Sequence, residues 1–271
     1  MPPQRRRLDA ELVRRKIARS REHAVELIKD GHVFVGGFKA SKPASVVEPE
    51  VSIRIEGGDD ANWASRGAHK LLGALEAFDV ELKGKKVLDA GASTGGFTDV
   101  CLRGGAAEVY AVDVGYGQLL WRLQNDDRVK VRDRTNIRYL TLDDTEGPCD
   151  LMVGDLSFIS LKLTLPAMAK VMAPGAVMLP MVKPQFEVGK DRVGASGVVR
   201  SPELRAEVTL EVATFAKTLG LSCHGVVASP LPGPSGNVEY FLKLLNDGGA
   251  THPSEEELLS MIETAIKDGP Q

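Results

Sequence analysis

The sequence has few cysteines, few aromatic residues and no long apolar run, and these shortages argue against several kinds of site and classes of protein. Only 3 of its 271 residues are cysteines, and aromatic residues make up 5%. Cys101, Cys149 and Cys223 are too scattered for a disulfide framework or a zinc site, so we expect small buried residues and no metal. No segment approaches the roughly 18 apolar residues of a membrane span, and the basic N-terminus lacks the apolar stretch of a secretory signal. We therefore expect a cytoplasmic protein without a membrane partner.

The charged residues are distributed unevenly along the chain. Residues 1–47 contain 11 basic and 5 acidic residues and carry a net charge of +6, whereas the remaining 224 residues carry −9. A small basic segment on an acidic body predicts that the segment meets a polyanion such as RNA. A basic face turned towards solvent would give the same charge distribution.

The N-terminal segment predicts a compact module of helices followed by strands. Residues 7–29 have the apolar spacing of two short helices, with Ser20 as N-cap and Gly31 as C-cap of the second. The stretches HVFVGGF and VSIRI then alternate apolar and polar residues, as short strands do.

From residue 85 the pattern changes to short apolar runs that alternate with helical stretches. The predicted helices are at 96–103, 117–124, 161–172 and 202–219. Strands buried on both faces and separated by helices indicate a doubly wound parallel sheet, so the fold class is α/β and Rossmann-like. Two neighbouring strands late in the chain predict an antiparallel addition, and a final helix is expected at 254–267.

A stretch rich in Gly, Asp and Asn separates these two parts of the chain. We place a small α+β domain at residues 1–58, a linker at 59–66 and a second domain at 67–271. Trp63 either anchors the linker to one domain or caps the edge of a core.

The segment DAGASTGGFTD, residues 89–99, is a glycine-rich turn between a predicted strand and a helix, where doubly wound sheets bind nucleotides. It lacks the lysine of a P-loop and the glycine spacing of a dinucleotide site, so both ligands are disfavoured. Asp89 suits a cationic amino group, and Asp113, at the end of the next strand, suits ribose hydroxyls. These features predict S-adenosylmethionine, although a tight turn alone could explain the glycines. Asp133 is placed to meet the adenine edge or is a surface acid.

Four charged residues lie at predicted strand ends or lead into the sheet: Lys70, Asp155, Lys183 and Glu239. Strand ends converge on the crevice above the cofactor loop, although each residue alone is more often a solvated loop residue. Methyl transfer to a ribose hydroxyl needs a base that removes the proton during attack. We expect Lys183 to be this base, with the other three tuning and orienting it.

Three further residues are candidates for holding the target nucleotide. Phe158 either stacks on a base turned out of a helix or packs in the core. Ser235 and Asn237 are candidate hydrogen-bonding partners of that base. The long glycine-rich loop at 184–202 is either a lid over the substrate or disordered.

Several long motifs together resemble the TlyA family, two-domain 2′-O-ribose methyltransferases of ribosomal RNA that are also called hemolysin A. The segment RLDAELVRRKIARSREHAVELIKDGHVFVGG, with KPAS after it, resembles the RNA-binding module named after ribosomal protein S4. Residues 85–245 resemble the FtsJ-like methyltransferase domain. The specific stretches are SRGAHKL, DAGASTGGFT, DVGYGQL, DLSFISL, VKPQFEVGK and PSGNVEYF. The family linker often reads Arg-Ala-Trp-Val, whereas this chain has Ala61, Asn62, Trp63 and Ala64.

The resemblance implies a catalytic Lys-Asp-Lys-Glu tetrad at Lys70, Asp155, Lys183 and Glu239, with S-adenosylmethionine as cofactor. The implied cofactor contacts are Asp89, Gly91, Ala92, Ser93, Thr94, Gly95, Gly96, Phe97, Asp113, Val114 and Asp133. The implied RNA contacts are Arg7, Arg21, Lys42, Arg66, Arg134, Phe158, Ser235 and Asn237.

The resemblance also implies the substrate. The expected target is a cytidine ribose in small-subunit rRNA, in some members also in large-subunit rRNA, with an effect on sensitivity to capreomycin-type antibiotics. We expect a monomer whose partners are ribosomal RNA and ribosomal subunits.

Two other classes of protein compete with this interpretation. A non-catalytic RNA-binding or ribosome-assembly factor would retain the fold without the chemistry, but all four tetrad positions are intact. A pore-forming toxin is disfavoured because a buried parallel sheet does not readily insert into lipid.

Overall fold

The computed structural model describes residues 5–15, 17–18, 20–55, 63–189, 191–194, 197–233 and 235–270. The chain forms two compact units, Met1–Trp63 and Ala64–Gln271. The boundary predicted after residue 58 and residues 59–62 of the predicted linker, with Ala61 and Asn62, lie outside the described residues.

The first unit packs two helices against short antiparallel strands, as the sequence predicts. The elements are β1 (Arg6–Arg7), α1 (Leu8–Arg14), α2 (Arg21–Lys29), β2 (Val33–Val35), β3 (Phe38–Lys39), β4 (Val46–Val47) and β5 (Ile53–Ile55). Strand β2 lies between β3 and β5, and β1 pairs with β4. Helix α2 begins where the Ser20 hydroxyl accepts a hydrogen bond from the His23 amide, so the N-cap prediction is confirmed. Leu8, Leu12 and Ile28 are fully buried in its core.

The second unit is built on a seven-stranded sheet in the order β11-β12-β10-β9-β6-β7-β8. The strands are β6 (Lys86–Ala90), β7 (Glu108–Val112), β8 (Val129–Arg132), β9 (Cys149–Gly154), β10 (Met172–Val182), β11 (Leu221–Ala228) and β12 (Tyr240–Asn246). Strands β6 to β10 run parallel, and β12 runs antiparallel to both of its neighbours. The predicted parallel sheet and its antiparallel addition are confirmed.

Helices cover both faces of this sheet. They are α3 (Gly67–Phe78), α4 (Gly96–Arg103), α5 (Trp121–Gln124), α6 (Leu161–Lys170), α7 (Pro184–Glu187), α8 (Pro202–Thr218) and α9 (Glu255–Asp268). Apolar residues of α6, α8 and α9 share one core with Tyr240 and Leu242. Phe241 points to the opposite face because side chains alternate along a strand, and there its ring lies 6.1 Å from the Phe97 ring of α4.

Three parts of the sequence prediction differ from the structure, and one is the short helix α7 at the start of the predicted loop 184–202. The helix predicted at 117–124 covers only Trp121–Gln124, because loop 113–120 is held open by hydrogen bonds to Asp113 and Asp133. Helix α3 was not predicted, although Ala68, Leu71 and Ala74 recur at helical spacing and are fully buried.

The three cysteines are free and buried, as predicted. Within the part of the chain that the structure describes, no helix is both long and apolar enough to span a bilayer.

Candidate functional site

The four predicted tetrad residues meet at one edge of the sheet. Asp155 directly follows β9 and Lys183 directly follows β10, so both lie at carboxyl ends of parallel strands. Glu239 directly precedes β12, and because β12 is antiparallel its first residue lies at the same edge. Lys70 comes from the first turn of α3. Four distant segments of the chain therefore supply one cluster.

The cluster is a closed ring in which positive and negative side chains alternate. Lys70 Nζ donates to Glu239 Oε2 at 2.6 Å and lies 3.7 Å from Asp155 Oδ2. Lys183 Nζ lies 2.5 Å from Asp155 Oδ1 and 4.0 Å from Glu239 Oε1. Each lysine therefore faces both carboxylates.

Burial increases the strength of the charge interactions in the ring. The Lys70, Lys183 and Glu239 side chains are 10%, 7% and 1% exposed, whereas Asp155 is 24% exposed. Buried charges are tolerated when they are paired, and removal of one partner leaves the others uncompensated. The ring holds two amines in defined positions at the edge where a substrate enters, an arrangement suited to proton transfer.

Ser157 joins the ring, although the sequence analysis did not single it out. Its hydroxyl accepts a hydrogen bond from Lys183 Nζ at 2.8 Å. The next residue, Phe158, has a φ of +63°, in the left-handed region that side chains seldom adopt. The position of Ser157 thus depends on a turn that the residue types alone do not reveal.

The Phe158 side chain is 90% exposed, so the alternative that it packs in the core is wrong. Its ring lies 5.1 Å from the ring of Phe186, which the sequence analysis also missed. The pair forms an apolar surface next to Ser157 and Asp155.

Asp89 is completely buried at the end of β6. Its Oδ2 accepts a hydrogen bond from Thr98 Oγ1 at 2.6 Å, and its Oδ1 has no hydrogen-bond partner among the described residues. Burial raises the pKa of Asp89 to about 7, and the nearby carboxylates of Asp155 and Asp113 act in the same direction, whereas the Thr98 hydrogen bond opposes it. An unpartnered carboxylate oxygen of this kind fits a cationic ligand such as the ammonium group of S-adenosylmethionine.

Two further acids hold the loops that follow β7 and β8. The half-buried Asp113 accepts hydrogen bonds from the amides of Ser93 at 2.8 Å and Gly115 at 2.7 Å. Each carboxylate oxygen has a second lone pair, which a ribose hydroxyl can use. Asp133 accepts from the amide of Gly117 at 2.8 Å, so it orders the loop that also carries the exposed Val114. These residues fit the ribose and base of the predicted cofactor.

The glycines of the turn are required by packing within the protein. A Cβ on Gly91, which has a φ of +86°, would lie 2.8 Å from the Asp155 carbonyl oxygen. A Cβ on Gly95 would meet Leu123, and one on Gly96 would meet Ser65 Oγ.

The other predicted cofactor residues of this turn differ in exposure. Ala92 and Phe97 are buried, whereas Ser93 is exposed and Thr94 is half-buried. Ser93 and Thr94 therefore offer the accessible side chains of the turn.

The loop at 184–202 is anchored on both sides. Near its start, the Glu187 carboxylate accepts from Ser160 Oγ at 2.6 Å and from the Leu161 amide at 2.7 Å. Near its end, the buried Asn237 accepts from the Val199 amide and donates to the Gly197 carbonyl, both at 2.9 Å. The amide of Asn237 therefore holds this loop, and its RNA contact stays a prediction.

An apolar cluster also supports the loop. Val188 and Val199 pack with Val208 of α8, so the alternative that the loop is disordered does not hold for these residues. Residues 190, 195 and 196 lie outside the described residues.

The predicted RNA contacts of the first unit include one pair that the structure brings together. Arg7 and Arg21 both contact the buried Asp9, with Nη2 atoms 2.8 Å and 3.2 Å from its Oδ2. These arginines hold the pKa of Asp9 at about 2, well below its usual value, and their own side chains stay more than half exposed. Lys42 is exposed.

Apart from the buried Asn237, the predicted RNA contacts of the second unit lie on its surface. Arg66 and Ser235 are exposed. The exposed Arg134 guanidinium lies 4.2 Å from the centre of the Tyr116 ring, a residue that the sequence analysis did not select.

Comparisons with known proteins agree with this geometry. The profile of the FtsJ-like methyltransferase family matches residues 63–245, and that of the S4 domain matches residues 6–53. A Mycobacterium tuberculosis protein named 16S/23S rRNA (cytidine-2'-O)-methyltransferase TlyA is 53% identical over 98% of this chain and 99% of its own length. A Campylobacter jejuni protein named 23S rRNA (cytidine-2'-O)-methyltransferase TlyA is 31% identical over 84% of this chain and 95% of its own length.

A solved structure is also similar to this chain over nearly its whole length. The structure of a Streptococcus thermophilus protein described as a hemolysin superimposes with a TM-score of 0.76 and 35% identity, over 99% of this chain and 98% of the other. The chain therefore belongs to the TlyA family, in which an S4 domain precedes an FtsJ-like methyltransferase domain.

Proposed function

We propose that this protein methylates the 2′-hydroxyl of a cytidine in ribosomal RNA. The observation that carries the proposal is the ring of Lys70, Asp155, Lys183 and Glu239 at the edge of the sheet where the glycine turn also lies. The ring offers a base for a ribose hydroxyl, and the relatives from Mycobacterium tuberculosis and Campylobacter jejuni are named for that reaction. The methyl donor of the FtsJ-like domain is S-adenosylmethionine.

When bound, S-adenosylmethionine would supply a methyl group on a positively charged sulfur, and that sulfur would keep the electron pair of the sulfur–carbon bond. The ribose oxygen forms the new bond to that carbon, and its proton passes to the neutral amine of Lys183. Asp155 orients Lys183, and Lys70 holds Glu239 and Asp155 in place. Holding the ribose oxygen in line with the methyl group, with its proton within reach of the base, supplies much of the remaining acceleration.

The charges of the ring suit this step. With both lysines protonated, the two carboxylates balance them and the four side chains carry no net charge. Loss of one proton from Lys183 leaves a net charge of −1, which the positive sulfur of the cofactor balances.

We further propose how the substrate is held. Arg7, Arg21 and Lys42 bind rRNA phosphates in a domain of residues 1–58, which gives affinity and register. In the domain of residues 67–271, Phe158 stacks on the extruded cytidine base. The predicted contacts of Arg66, Arg134, Ser235 and Asn237, and of the cofactor residues, are part of this proposal.

The finer assignments follow the family resemblance. We propose small-subunit rRNA as substrate, with large-subunit rRNA as the second, and capreomycin sensitivity as the consequence of methylation. We also propose a cytoplasmic monomer.

The test maps ribose methylation on rRNA from cells that carry the protein, cells that lack it, and cells that carry Lys183→Ala. We expect cytidine 2′-O-methylation only with the unmodified protein, while the purified variant still binds S-adenosylmethionine. Lys267→Ala, at an exposed position on α9, is the matched control and should retain methylation. Unchanged rRNA in all strains would contradict the proposal and favour a non-catalytic RNA-binding factor. Full methylation by Lys183→Ala would remove Lys183 from the role of base.

A further inference from the structure

Ser157 lies in contact with the proposed base, on the loop between the end of β9 and α6. Lys183 Nζ donates to its hydroxyl at 2.8 Å and lies 2.5 Å from Asp155 Oδ1. We propose that Ser157 is a positioning residue that, together with Asp155, directs the lone pair of Lys183 towards the ribose hydroxyl. This inference rests on the proposed function.

The number of N–H bonds and lone pairs on the amine limits how Lys183 can act as a base. A neutral lysine has two N–H bonds and one lone pair, and only the lone pair can accept a proton. Ser157 Oγ accepts one of these N–H bonds at 2.8 Å, whereas Asp155 Oδ1 lies 2.5 Å away as an ion-pair partner without hydrogen-bond geometry. Glu239 Oε1 lies 4.0 Å away, too far to compete. The hydrogen bond to Ser157 fixes one N–H direction, and this restricts rotation about the terminal carbon–nitrogen bond and hence the directions that the lone pair can take.

The loop that carries Ser157 is held on both sides, so its hydroxyl can serve as a fixed reference. The Asp155 amide donates to the Ala90 carbonyl at 3.0 Å. On the other side, Ser160 Oγ and the Leu161 amide donate to the buried Glu187. The left-handed backbone at Phe158 turns the large ring outwards while Ser157 keeps its contact with Lys183.

A hydroxyl suits this position better than an acid would. Lys183 already faces two carboxylates, and a third would add an unbalanced negative charge to the buried ring. A neutral hydroxyl accepts one hydrogen bond without this effect.

The test compares Ser157→Ala and Ser157→Thr with the unmodified full-length protein. Each is assayed for methyl transfer from labelled S-adenosylmethionine to ribosomal subunits that lack the modification. For Ser157→Ala we expect kcat to fall roughly tenfold, the effect of one hydrogen bond, with KM for the subunits and the cofactor Kd within about twofold. Ser157→Thr retains the hydroxyl and should recover most of kcat. Ser260→Ala, at an exposed position on α9, is the matched control and should match the unmodified protein.

The outcomes separate this inference from the proposed function. Absence of methyl transfer by the unmodified protein would overturn the proposed function and this inference with it. If Lys183→Ala is inactive but Ser157→Ala turns over normally, Lys183 keeps its role and the inference about Ser157 fails. A loss of kcat that Ser157→Thr does not recover, or a matching rise in KM, would show a structural role and also overturn it.

Discussion

The buried carboxyl group of Asp89 makes the stability of this protein depend on pH in a predictable way. Burial raises its pKa from 3.8 to about 7, so the folded protein binds its proton more tightly than the unfolded chain does. Stability from this group is fully present below pH 3.8, falls as the pH rises to about 7, and stays low above that. A difference of about three pH units corresponds to about 4 kcal/mol, at about 1.36 kcal/mol for each unit.

The variant Asp89→Asn tests this dependence, because the asparagine side chain has the shape of the protonated acid but does not ionise. In the absence of cofactor, we expect the variant and the unmodified protein to be about equally stable near pH 4. At about pH 8 the variant should be more stable by up to about 4 kcal/mol, because it avoids the cost of the buried charge. The assay is unfolding by denaturant across this pH range. Asp127→Asn, at an exposed position, is the control and should show no such divergence.

Cofactor binding gives the second readout. If the ionised Asp89 pairs with the ammonium of S-adenosylmethionine, the affinity of the unmodified protein should fall about tenfold for each pH unit below 7. Asp89→Asn should bind weakly at every pH. A stability difference between the two proteins that is constant with pH would show that Asp89 is not a buried carboxyl group with a raised pKa. If the cofactor affinity changes neither with pH nor with the substitution, Asp89 does not contact the ammonium group, although its raised pKa would stand.

Two further predictions concern the first unit and the glycine turn. Asp9→Asn removes a negative charge yet should weaken rRNA binding severalfold in an affinity titration, because Asp9 holds two arginines in place. The control Glu50→Gln, at an exposed acid of the same unit, should bind equally or more tightly. Tighter binding by Asp9→Asn would contradict the positioning role. Gly91→Ala should lower the unfolding free energy by more than the about 1–2 kcal/mol expected for Gly84→Ala, since both have positive φ but only the former meets backbone atoms at 2.8 Å. Equal losses in the two variants would show that the clash is relieved.

The sequence predicted the sheet well because the strands are buried on both faces and read as apolar runs. Asp155 and Lys183 were placed at one edge by a simple rule, since parallel strands end together. Glu239 does not follow that rule. It precedes its strand, and only the antiparallel direction of β12 brings it to the same edge. The sequence predicted an antiparallel addition, but the pairing of β12 with β10 is a long-range contact that the local pattern does not encode.

Contacts that depend on backbone turns could not be predicted from the sequence. Ser157 looks like any serine after a strand, and its hydrogen bond to Lys183 depends on the left-handed turn at Phe158. Val208 and Asn237 support loop 184–202. They contact residues that are distant from them in the chain, so a local periodicity could not reveal these contacts. By contrast, the exposed ring of Phe158 was foreseen as one of two alternatives.

The place of β12 in the sheet has a consequence for the order of assembly. This strand follows β10 and β11 in the chain but lies between them in the sheet. Until it is synthesised, β10 has an open edge and β11 has no place to pair. Glu239 enters the ring together with β12, so a nascent chain that stops short of this strand holds Lys70 without its nearest carboxylate. Under the proposed function, a product that stops before β12 lacks a complete ring and should be inert towards the ribosomes that make it.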